Sequence, residues 1–130
     1  MNLEFWILDG IQNLRTPAAD VLMPFITSFG NGGVIWIVLT VILLLIPKTR
    51  KTGLILGAAL ILDGILCNLL LKNLVRRIRP CDINDAVRLL IPYPSDYSFP
   101  SGHTAVSFAA ASALYFAGEK YLCKAALVLA

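Results

Sequence analysis

An all-α fold, a polytopic transmembrane helical bundle, is what this chain of 130 residues predicts, and three observations carry it. The hydrophobic set makes up 58% of the residues and only 15% are charged, against about 25% charged in soluble domains. The apolar residues fall in long runs, and short charged clusters separate them, as in membrane helices and their loops. Turn formers stand between the runs, at Asn31-Gly32-Gly33, at Pro47 and around Pro92-Pro94. One domain over residues 1–130 is expected, with about five helices.

In chain order, Phe5, Trp6, Ile7, Leu8, Ile11 and Leu14 recur at helical spacing among Glu4, Asp9, Gln12 and Arg15. Residues 1–15 therefore read as an amphipathic helix lying at the membrane interface. No positively charged n-region precedes it, so a cleavable signal peptide is not indicated. Residues 17–29 and 34–46 form the first two spans, short against the roughly 20 residues a bilayer requires. Gly53 to Leu71 is the clearest span, with small residues Gly57 and Gly64 on a face that lets a neighbouring helix come close. Asp63 within it, like Asp20 in the first span, has to face protein or water, since an acid at the bilayer centre costs about 2.5–3.5 kcal/mol; a packing or hydrogen-bonding role is favoured for both. A fourth span runs from Pro100 to about Phe116, and a fifth apolar segment begins near Tyr121.

Three cysteines are present, two of them in apolar runs (Cys67, Cys123) and one in a polar loop (Cys81), so no disulfide framework is implied. The net charge of +3 says less than the placement of the cations. Lys72, Arg76 and Arg79 are spaced i, i+4 and i+7, which predicts one cationic stripe on a helix continuing the third span, with Arg77 pointing elsewhere. Pro80 ends that helix. Alone, such a stretch reads better as a cluster that binds anionic lipid headgroups.

Pro100-Ser101-Gly102-His103 opens the next helix. Ser101 is a good N-cap, and the unpaired amides after it form an anion site at the positive end of the helix dipole. Gly102 lets an anion approach the backbone. His103 is the single histidine of the chain and would stand beside that anion, where an imidazole can deliver a proton near neutral pH.

Lys72 with Arg79-Pro80, followed after a polar loop by Pro100-Ser101-Gly102-His103, resembles the first two signature motifs of the phosphatidic acid phosphatase type 2 superfamily. Tyr97-Ser98-Phe99-Pro100 looks most like bacterial members acting on undecaprenyl pyrophosphate or related lipid phosphates. The resemblance implies a hydrolase of lipid phosphates in the cell membrane, working without a metal or other cofactor and with no nucleic-acid partner. It implies that Lys72 and Arg79 hold phosphoryl oxygens, that Ser101 and Gly102 add hydrogen bonds, and that His103 protonates the leaving group. The family's third motif, S-R-x5-H-x3-D, carries the nucleophilic histidine and has no counterpart here. The expectation is a domain incomplete at its C-terminus and inactive alone, or a non-catalytic product that keeps phosphate binding. The soluble vanadium haloperoxidases share such a pocket, but the continuous apolar spans argue against that branch. Counting Arg15, Lys48, Arg50, Lys51, Lys120 and Lys124 on one side, and setting the motif cations aside on the other, places the Lys48–Lys51 side in the cytoplasm and the site outside.

Overall fold

The computed structural model describes residues 2–129. The fold is all-α. Helix α1 (Asn2–Asn13) leads to α2 (Pro17–Gly30), and a 3₁₀ turn over Asn31–Gly33 joins α2 to α3 (Val34–Leu45). Helix α4 (Arg50–Asp63) winds on through a π-helical stretch, Gly64–Leu71, into the single turn α5 (Lys72–Val75). A second single turn, α6 (Pro80–Ile83), precedes the long loop to α7 (Gly102–Phe116) and α8 (Lys120–Leu129). Each expected helix therefore exists within a few residues of its anticipated limits.

Local chemistry sets these limits. Thr16 caps α2 by accepting from the Ala19 amide at 3.2 Å, and Pro17 occupies the first turn, where its missing N–H costs nothing. Gly33 turns the chain in the left-handed region at φ 71°. Ser101 caps α7.

The core is small and rich in alanine. Trp36 and Leu43 of α3, Leu56 of α4, Ala110, Ala111, Ala113 and Leu114 of α7, and Cys123 and Ala126 of α8 form one buried cluster. Such small side chains let helices pack at short distance. Inside it, Trp36 Nε1 donates to Ser107 Oγ at 3.3 Å. Most other large apolar residues are exposed, among them Val21, Leu54, Ile61 and Leu74. An apolar exterior around a small-residue interior is the inverse of a water-soluble surface.

Among the described residues, one helical run within Arg50–Ile83 is long and apolar enough to cross a membrane, with a mean hydropathy of 2.3 over an 18-residue window. The pair α2 and α3, bent by 44°, passes the same test if counted as one broken span. The remaining helices of the described residues have 10 to 15 residues, short of the roughly 20 that span a hydrocarbon core unaided.

Two expectations need correction. The helix carrying Lys72 stops at Val75, not at Arg79: Arg76 adopts a left-handed conformation (φ 47°) and its guanidinium folds back onto the Asn73 carbonyl at 2.9 Å. Pro80 starts the next turn instead of ending this one. Lys72, Arg76 and Arg79 consequently share no helical stripe. The close approach of α3 and α4 rests on Gly53, where an added Cβ would lie 2.9 Å from the Leu44 amide nitrogen. Gly57 meets its expectation, since a Cβ there would lie 3.2 Å from the Thr40 methyl of α3, whereas at Gly64 a Cβ would meet open space.

Candidate active site

The α7 N-terminus opens into a cleft of about 930 Å³. Lys72, Arg79, Ser101, Gly102 and His103, the five residues singled out by sequence, all line it. The π-helical stretch contributes to this geometry. Its backbone bonds reach five residues back, as from the Lys72 amide to the Cys67 carbonyl, so residues five apart stack where an α-helix would rotate them away. Asp63 and Asn68, five apart, thereby share a face and reach the same cleft as Lys72. Gly102 sits against them: a Cβ there would lie 3.7 Å from both Asn68 Oδ1 and Lys72 Nζ. The lysine ammonium and the positive end of α7 thus converge on one point, where each raises the affinity for an anion.

Ser101 Oγ accepts from the Thr104 amide at 3.4 Å, and the Ser101 carbonyl accepts from Ala105 at 2.9 Å. The amides of Gly102 and His103 precede the first intrahelical bond and point out of the helix end. His103 turns back toward the α2–α3 turn. Its Nε2 lies 3.1 Å from Asn31 Oδ1, and its ring packs over Gly30, where a Cβ would come within 2.7 Å of Cδ2.

Asp96 occupies the centre of the cation pair. Its carboxylate accepts from Lys72 Nζ through one oxygen, and from Arg79 Nη2 at 2.5 Å through the other. Arg79 Nε donates to the Asp96 main-chain oxygen at 2.8 Å. The Lys72 hydrogen bond, followed by that of Arg79, holds the Asp96 carboxyl below its usual value, against the opposing effect of partial burial. The Ser98 amide, donating to the Arg77 carbonyl at 2.8 Å, ties the same loop to the first motif.

Asn31, Asn68 and Asp96 thus join the site without having been singled out. Asn31 and Asp96 stand in turn-forming stretches, and Asn68 lies in an apolar span; a polar side chain inside that span is the one signal the sequence offered. Asp20 pairs with Arg15 at 2.9 Å, the hydrogen-bonding role expected of it. Arg15 itself is displaced from the side anticipated for it: Nη1 donates to the Arg88 carbonyl at 3.4 Å, and the Arg88 amide donates to Gln12 Oε1 at 3.0 Å. Glu4 and Arg77 form a further ion pair. Helix α1 is therefore held to the loop that flanks the site, because its polar face finds its partners there.

Comparison with known proteins gives a consistent assignment. The model of the PAP2 superfamily matches residues 52–129. An undecaprenyl-diphosphatase of Sulfolobus acidocaldarius is 32% identical over 121 residues, 93% of this chain and 57% of that protein. The chain spans less than two thirds of that relative's length. No solved structure matches it significantly.

Proposed function

This chain belongs to the PAP2 superfamily, and from that premise we propose that it forms the phosphate-binding half of an integral membrane phosphatase acting on a lipid phosphate or diphosphate. The observation that carries the proposal is the convergence of Lys72, Arg79 and the α7 N-terminus on one cleft, with the single histidine at its rim. Lys72 and Arg79 neutralise phosphoryl oxygens, and the Gly102 and His103 amides with Ser101 complete the cradle; preorganised donors of this kind stabilise charge that develops in the transition state. As the imidazolium, His103 passes the Nε2 proton that faces Asn31 Oδ1 to the leaving oxygen as the P–O bond breaks and returns to neutral imidazole. The undecaprenyl-diphosphatase relative makes a polyprenyl diphosphate the first substrate to try.

A nucleophilic histidine is not available in these 130 residues, because the single one is the acid. The covalent step belongs to an S-R-x5-H-x3-D segment that this sequence does not contain. A second reading, a phosphate binder without catalysis, is favoured by the same observation and applies to the 130 residues by themselves. The apolar exterior and the Arg50–Ile83 stretch support a multi-pass membrane placement. With Arg15 moved beside Arg88, the cations outside the motifs divide five to four, still in favour of a cytoplasmic Lys48–Lys51 side and an outward-facing site.

The test is binding and turnover by the detergent-solubilised chain. Inorganic phosphate binds, binding falls at least about tenfold in Lys72→Ala or Arg79→Ala, and undecaprenyl pyrophosphate releases no phosphate. Undiminished binding in both variants overturns the cradle. Phosphate release that His103→Ala abolishes overturns the division of labour.

A further inference from the structure

We infer that Asp96 sets the affinity threshold of the phosphate subsite, as an internal carboxylate that occupies it and that any external anion must displace. The inference rests on the proposed phosphate role of Lys72 and Arg79. Each cation donates to this one side chain, one carboxylate oxygen to each, and Arg79 Nε adds a bond to the Asp96 main-chain oxygen. The Lys72 side chain is only 13% exposed and Arg79 26%, so water does little of the neutralising. Two oxygens of one anionic group bridging an ammonium and a guanidinium is also how a phosphoryl group would sit. Asp96 is mounted on the loop, not on a packed helix, and its side chain is 47% exposed. It can therefore leave without disturbing the core.

Occupancy by an internal anion lowers the apparent affinity of every external one by the fraction of time the subsite is free. A phosphomonoester or terminal diphosphate, with two negative charges and three free oxygens, retains enough affinity to bind. A phosphodiester, with one charge and two free oxygens, does not. The distinction matters at a membrane surface, where diester headgroups surround the cleft at far higher concentration than any monoester substrate. Asp96 keeps them out.

The experiment measures butyl phosphate and dibutyl phosphate binding to the detergent-solubilised chain by calorimetry, with circular dichroism checking the helical content of each variant. The chain with Asp96 intact binds the monoester and shows no detectable diester binding. Asp96→Asn and Asp96→Ala tighten the monoester about fivefold, the worth of two partly exposed ion pairs, and bring the diester into the measurable range. Asp96→Glu keeps the diester out. Asp85→Asn, which removes one charge from the same loop without touching either cation, changes monoester affinity by less than about twofold. Weaker monoester binding in Asp96→Asn, or an equal gain in Asp85→Asn, overturns the inference and leaves the cradle standing. If both Asp96 variants fail to fold, the contact is structural and the inference is wrong. Absence of phosphate binding in every variant instead removes the underlying reading.

Discussion

His103 Nε2 lies 3.1 Å from Asn31 Oδ1, a contact that links α7 to the α2–α3 turn across 72 residues. An amide oxygen can only accept, so the imidazole proton sits on Nε2. Gly30 makes room for the ring, since any Cβ there would lie 2.7 Å from Cδ2. Gly30→Ala therefore displaces the ring, and Asn31→Ala removes its acceptor. In ¹⁵N spectra of the neutral imidazole, His103 shows the Nε2–H tautomer, and both variants show a mixture. A spectrum dominated by Nδ1–H before either substitution would contradict the contact.

Asp96 gives the loop an acid limit. Because its carboxyl is held below the ordinary value, chiefly by Lys72 and then by Arg79, the stabilisation is fully present above the unfolded value of about 3.9. It is lost as pH falls through the depressed folded value. A nitroxide at Ser95 should thus stay immobile from neutral pH down to about pH 4 and become mobile only below it. In Asp96→Asn it is mobile throughout. Release that begins near pH 6 would assign the latch to another group.

Gly53 and Gly64 should respond in opposite ways to the same substitution. At Gly53 an added methyl meets the backbone of Leu43 and Leu44 at 2.9–3.1 Å, which the α3–α4 pair cannot move cheaply. Gly53→Ala is expected to cost about 1–3 kcal/mol. Gly64→Ala meets nothing within 4 Å and is neutral or stabilising by up to about 1 kcal/mol. Unfolding midpoints in detergent distinguish them, and equal effects would show that the α3–α4 crossing is looser than described.

The buried Trp36–Ser107 bond gives a second stability test. Both residues are buried, and the indole N–H has no water to fall back on once the hydroxyl is gone. Ser107→Ala should cost about 1–3 kcal/mol, the penalty of a stranded donor. Trp36→Phe combined with Ser107→Ala should recover part of that loss, because no unpaired group remains. Additive losses in the double variant would remove the hydrogen bond from the account.

Sidedness can be read chemically. With Cys67, Cys81 and Cys123 replaced, a cysteine at Ser95 should react with a membrane-impermeant maleimide in intact cells, and one at Lys48 only after lysis. Labelling of Ser95 that requires lysis would invert the proposed orientation.

The sequence by itself determined the helices and the motif chemistry, because both are local. Apolar runs, Thr16 and Ser101 as caps, and Pro17 inside a first turn act through neighbours a few residues away. Lys72, Arg79, Ser101, Gly102 and His103 were legible for the same reason: cation spacing and a capped glycine-histidine start are patterns within short windows. Tertiary structure alone decided how those windows meet. Asp96 joins Lys72 from 24 residues away and Arg79 from 17, and nothing in a turn-forming loop announces such a partner. Asn31 looked like a turn residue and is one, but the histidine it holds arrives on another helix. The left-handed Arg76 ends a helix without the glycine that would have marked it, costing about 1–2 kcal/mol that interactions elsewhere must offset. Charge counting along the chain separates Arg15 from Arg88, whereas the way α1 lies against the loop brings Arg15 to Asp20 and the Arg88 carbonyl. Local free energies choose helices, and packing of the small-residue core chooses which of their ends share a cleft.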